Sequence, residues 1–165
     1  MKKQLAATFL LIAFPIFLVS CVSSILKESP PTFSSDVKWN NLPASFEKMD
    51  TGIYPAWKNP RTGNVISIVS DCGNSSGAGL LGLHQLVESS VEEFQLVKEQ
   101  KLLYKNKSAL VHHSEGEVDG SPIEIQSMSF RRKDCGYLTS LSGKKNNLES
   151  DRKAFEQFNY GLTFP

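Results

Sequence analysis

The chain has 165 residues, 40% apolar and 21% charged, with 18 basic and 17 acidic side chains. That composition belongs to an ordinary globular protein of at most one domain and excludes disordered, collagenous and multi-span membrane chains. Without its first twenty residues, which carry Lys2 and Lys3, the balance is 16 against 17, so nothing favours a nucleic-acid partner.

Met1-Lys2-Lys3 is a cationic start followed by an apolar run from Leu5 to Val19, 15 residues long. A helix needs about 20 residues to cross a ~30 Å hydrocarbon core, so the run is short for a span and suits the hydrophobic region of a signal peptide, residues 1–20. It ends in Leu18-Val19-Ser20-Cys21. This tetrapeptide, at this place, resembles the bacterial lipobox. The resemblance implies cleavage before Cys21, a diacylglycerol on its sulfur and usually a further acyl chain, such as palmitate, on the new amino group. Each buried methylene contributes about 0.8 kcal/mol, so two or three chains hold durably where one holds reversibly. The next residue is Val22. In the lipoproteins that this segment resembles, Asp at that position retains the protein at the inner membrane, so Val22 implies the outer membrane, facing the periplasm.

Residues 22–36 contain five Ser and two Pro and no usable periodicity, which together with Cys21 predicts a lipidated, flexible tether over 21–36. Residues 37–165 are enough for a single hydrophobic core. The turn residues Asn59 to Asn64 join the aromatic segment 52–57 to the strand-like Val65-Ile66-Ser67-Ile68-Val69, a predicted hairpin. Leu80, Leu83, Val87, Val91 and Phe94 recur at three- and four-residue steps and predict an amphipathic helix over 80–98. Ser108–His113 and Ile123–Phe130 flank Val118-Asp119-Gly120-Ser121, and Asp-Gly favours the type I′ turn of a second hairpin. A strand over 137–141 and a helix near 149–158 complete the order β-β-α-β-β-β-α.

Strands joined by tight turns give an antiparallel sheet, here covered by two helices: an α+β fold. The element order over residues 50–160 resembles the PsbP-like family, which implies an α/β/α sandwich. The segments Trp57-Lys58-Asn59 and Thr62-Gly63-Asn64, before a strand ending in Cys72, are similar to those of certain uncharacterised bacterial lipoproteins. Neither likeness implies an activity.

Cys72 and Cys135 each lie in Asp-Cys-Gly at a strand end and form an even pair once Cys21 is acylated. Periplasmic oxidation favours a disulfide over free thiols. No Cys-x-x-Cys or His-x-x-x-His occurs, no cofactor is implied, and His112 and His113, as neighbours on a strand, point to opposite faces and cannot chelate one ion together. Gly77-Ala78-Gly79-Leu80-Leu81-Gly82 matches G-x-G-x-x-G but lacks the parallel strands that a dinucleotide site requires. His84 and Glu88, one helical turn apart, suggest a surface pair.

These features lead to a membrane-anchored envelope lipoprotein, not an enzyme, that binds another envelope protein or a small ligand. Tyr54, Trp57 and Arg61 are the candidate interaction surface, with core packing the favoured alternative for Trp57. One alternative is an envelope hydrolase whose residues converge from among Asp71, His84, His112, Asp119 and Asp134. Another is a carrier of a small apolar ligand between helix and sheet.

Overall fold

The computed structural model describes residues 33–34, 36–40, 42–52, 54–72 and 79–164. The leader, Cys21 and the tether up to residue 32 lie outside them, as do 73–78, including Gly77 and Ala78. The elements are β1 (Lys38–Trp39), β2 (Glu47–Lys48), β3 (Ala56–Lys58), β4 (Val65–Cys72), α1 (Leu80–Glu88), β5 (Glu92–Tyr104), β6 (Lys107–Val118), β7 (Ser121–Arg132), β8 (Cys135–Lys144), α2 (Glu149–Gly161) and β9 (Leu162–Thr163).

Seven strands form one antiparallel sheet in the order β2-β3-β4-β8-β7-β6-β5, and β1 pairs with β9 apart from it. Both expected hairpins are present. β3 and β4 pair across the 59–64 turn, and β6 and β7 pair across Asp119-Gly120, whose φ angles of 51° and 68° are those the type I′ turn requires. Every strand pair among the described residues is antiparallel, whereas a dinucleotide site requires parallel strands.

The period of two assigns the faces. Ile66, Ile68, Leu141, Tyr137, Phe130, Met128 and Ala109 project to one side and form a core with Phe155 and Phe158 of α2. The alternate residues Ser67, Ser140, Ser127, Ser129 and Leu138 project to the other. The serines and Gly136 among them let α1 sit close: a Cβ on Gly136 would lie 2.8 Å from Leu83 Cδ1. Helices therefore cover both faces, as expected of an α+β sandwich.

The first helix differs from its expected length. The helix predicted over 80–98 ends at Glu88. Ser89 and Ser90 follow, and the Ser90 hydroxyl donates to the Val87 carbonyl at 2.7 Å, the local competition by which Ser ends helices. Val91 and Phe94 continued the helical spacing, yet residues 92–104 are β5, because pairing along β6 outweighs local periodicity. Lys98 and Lys101 accordingly lie on this edge strand, and Lys105 and Lys107 lie at its turn into β6. Within the segment expected as a tether, Phe33 packs edge-on to Trp39 at 6.2 Å, and the Ser34 amide donates to Ser70 Oγ at 2.8 Å.

Candidate functional site

Helix α1 places His84 and Glu88 on one face, one turn apart, over the serine-lined side of the sheet. Strand β6 brings His112 beneath them, and its register partner on β5 is Glu99. The two imidazoles stack with centroids 3.8 Å apart and planes 16° from parallel. Both residues are 1% exposed.

The contacts define the rings. His84 Nε2 lies 3.2 Å from the Leu110 carbonyl, which only accepts, so Nε2 carries the hydrogen; Nδ1 then accepts from the Ser127 hydroxyl at 2.9 Å. His112 Nδ1 faces Glu88 Oε1 at 2.8 Å and its Nε2 faces Glu99 Oε2 at 3.1 Å. Carboxylates only accept as well, so each of these contacts requires a hydrogen or a cation at the nitrogen. The carboxylates form the mouth of the cluster, with Glu88 18% and Glu99 42% exposed. His113 points the other way, to Glu124 at 2.6 Å, as the strand period requires.

Burial, and next the adjacent His112, push His84 down from 6.5 to about 4, against the opposing pull of the Leu110 carbonyl and Glu99. A base with a depressed folded pKa stabilises the fold fully above the unfolded value, near 6.5, and loses that contribution as pH falls towards 4. The difference amounts to about 3 kcal/mol. Urea midpoints of chelator-treated protein from pH 7 to pH 4 should therefore fall more steeply for the wild type than for His84→Gln; equal slopes would contradict this assignment.

The structure corrects the reading of His84 and Glu88 as a surface pair. His84 is buried, and Glu88 bonds to His112 instead. Of the five residues named for a hydrolase, only His84 and His112 come together. Asp71 lies at the end of β4, Asp119 in the β6–β7 turn and Asp134 in the β7–β8 turn. Sequence reasoning missed Glu99, which is positioned by sheet register. The only advance signal was its place among the lysines of an alternating segment.

Beside the cluster, α1 and the sheet edge form a groove of about 620 Å³ lined by Leu80, Leu81, Leu102, Leu103, Ala109 and Leu110, with Lys101 among them. Leu81 and Leu103 are 52% and 77% exposed. Of the residues named for a surface, Trp57 takes the core-packing alternative. Trp57 is 5% exposed, packed between Trp39 and Phe158 at 5.1 and 5.5 Å, because its strand turns it inward; Tyr54 is half-buried and Arg61 exposed. Cys72 and Cys135 are register partners on β4 and β8 and are joined by a disulfide, with Cα atoms 4.2 Å apart.

The motif segments converge as well. Asp151, 4% exposed in the first turn of α2, accepts from Asn59 Nδ2 at 2.9 Å, Thr62 Oγ1 at 2.5 Å and Asn64 Nδ2 at 2.9 Å. Asn59 and Thr62-Gly63-Asn64 thus lock the β3–β4 turn to α2. A Cβ at Gly143 would come 1.9 Å from Asn64 Oδ1, so the sheet leaves that amide its space only with glycine there.

No protein-family model and no curated protein sequence matches the chain. Solved structures do. The cyanobacterial PsbP of Synechocystis sp. aligns over 90% of this chain and 99% of its own, with TM-score 0.56 and 8% identity. LpqN of Mycobacterium tuberculosis, a protein involved in cell envelope biogenesis, aligns over 84% and 88%, with TM-score 0.55 and 9% identity. A Bacteroides thetaiotaomicron protein aligns over 79% of this chain and 45% of its own, with TM-score 0.56 and 14% identity. At these identities the likeness concerns architecture alone: the chain has an α+β fold similar to PsbP.

Proposed function

We propose that the protein is an exported lipoprotein, anchored through acyl chains on Cys21, whose domain is a non-catalytic interaction module of the bacterial envelope. The observation that carries this reading is the Cys72–Cys135 disulfide. Such bonds persist in oxidising compartments, which is where a leader ending in Leu18-Val19-Ser20-Cys21 would deliver the chain. LpqN, with its role in envelope biogenesis, is an instance of a similar fold in that setting. With Trp57 in the core, the partner surface moves to the α1–β5 side, where Leu81, Leu86, Val97 and Leu103 are all more than half exposed. Leu81 and Leu103 share one groove, and contiguous exposed apolar surface marks protein contacts. Val22 favours the outer membrane, facing the periplasm.

Replacing Cys21 by Ala tests the reading. The variant should leave the membrane fraction or accumulate as uncleaved precursor, while unchanged fractionation and mass would refute the anchor. A second reading, carriage of a small apolar ligand, is favoured by the leucine-lined groove between α1 and the sheet.

A further inference from the structure

We propose that His84, Glu88 and His112 form a binding site for a divalent cation of the zinc class, supported by Glu99. The inference goes beyond the anchoring and interaction roles and would survive their failure. Each of the three residues offers a ligand atom within 4.8 Å of the other two. Two come from one turn of α1 and the third from β6, so the set is held by two elements and not by a loop.

The ring atoms that a metal would not use distinguish this cluster from a chance meeting of polar groups. A ligating imidazole ordinarily donates its other N–H to a carbonyl or a carboxylate, which fixes its tautomer and aims its lone pair. Here His84 Nε2 is paired with the Leu110 carbonyl at 3.2 Å and His112 Nε2 with Glu99 Oε2 at 3.1 Å. Both Nδ1 atoms are left as the donors, and that of His112 already faces the Glu88 carboxylate at 2.8 Å. The supporting partners of a two-histidine, one-carboxylate site are therefore in place. Imidazole with carboxylate suits zinc and its neighbours better than magnesium or calcium, which take oxygen ligands. Cys72 and Cys135 are joined to each other and do not compete. The half-exposed Glu99 gives an ion a path to rings that are otherwise sealed.

Loading requires a local adjustment. A tetrahedral ion with bonds of about 2.0–2.1 Å holds its ligand atoms about 3.3 Å apart, so the stacked rings must splay until their lone pairs converge. The Ser127 hydroxyl contact at His84 Nδ1 is given up, while the two Nε2 bonds serve as pivots. Imidazole rotation about Cβ–Cγ is a broad torsion and permits this.

The test uses the full chain, extracted in detergent without reductant, stripped with chelator and titrated with Zn²⁺ or Co²⁺. The wild type should bind one ion per chain, with the visible bands of four-coordinate Co²⁺, and Zn²⁺ should raise its melting temperature. Glu88→Gln and His112→Ala should weaken binding at least tenfold and lose the bands. Glu99→Gln should weaken it about 10–100-fold with the bands retained. His113→Ala, on the opposite face, should bind as the wild type does. Glu88→Gln keeps size and shape, and circular dichroism verifies its fold. Absence of stoichiometric uptake by the wild type, or equal binding by wild type and Glu88→Gln, would overturn the proposal.

Discussion

Asp151→Ala is expected to lower the unfolding free energy by about 4 kcal/mol. The carboxylate is the common acceptor for Asn59, Thr62 and Asn64, and the two asparagines are 1% and 0% exposed. Truncation strands three donors, each at roughly 1–3 kcal/mol when water cannot reach it, and the half-buried Thr62 recovers part of its share. It also removes a negative charge from the first turn of α2, where the helix dipole favours one. Asp151→Asn keeps the shape but turns one acceptor into a donor, so an intermediate loss of about 2 kcal/mol is expected. Urea denaturation monitored by tryptophan fluorescence measures both. A loss under about 1 kcal/mol for Asp151→Ala would mean that the turn is held by other contacts.

The double replacement of Cys72 and Cys135 by Ser should cost a similar amount by a different route. The bond spans a sequence separation of 63 and joins strands that already pair in register, so it adds little to the native ladder. Its effect lies in the unfolded chain, where closing a loop of that length removes conformational freedom worth about 4 kcal/mol. For a domain of this size the melting temperature should drop by roughly 10–20 °C. Loss of a native bridge from a small exported domain often reaches this scale. Scanning calorimetry of the double variant, against wild type with the bond intact, checks it. An unchanged melting temperature would show that the bridge neither constrains the unfolded chain nor supports the β4–β8 pair.

The features legible in the sequence were those set by local chemistry. Asp119-Gly120 had to turn because those residue types accept positive φ. The strand-like run Val65–Val69 lies in β4, and the helix expected near 149–158 is α2. The paired Asp-Cys-Gly tripeptides pointed to the bridge. Residues 91–98 misled because their spacing satisfies a helix as well as a strand, and only the long-range partnership with β6 decides between them. That error hid the cluster. While residues 80–98 were read as one helix, Glu99 lay beyond its end and His112 on an unrelated hairpin; once β5 pairs with β6, Glu99 falls opposite His112, and α1, stopped at Ser89, sets His84 on top. The turn segments around Asn59 and Asn64 were similarly opaque, since their acceptor stands 92 and 87 residues away along the chain.

Intact-mass and peptide analysis of the native protein, taken from its own membranes without reduction, tests the whole account most directly. The account predicts a chain that begins at Cys21, carries added fatty mass on that residue, and contains Cys72 and Cys135 in one cross-linked peptide pair. A chain that begins at Met1 with no lipid mass and with both cysteines alkylatable would contradict it.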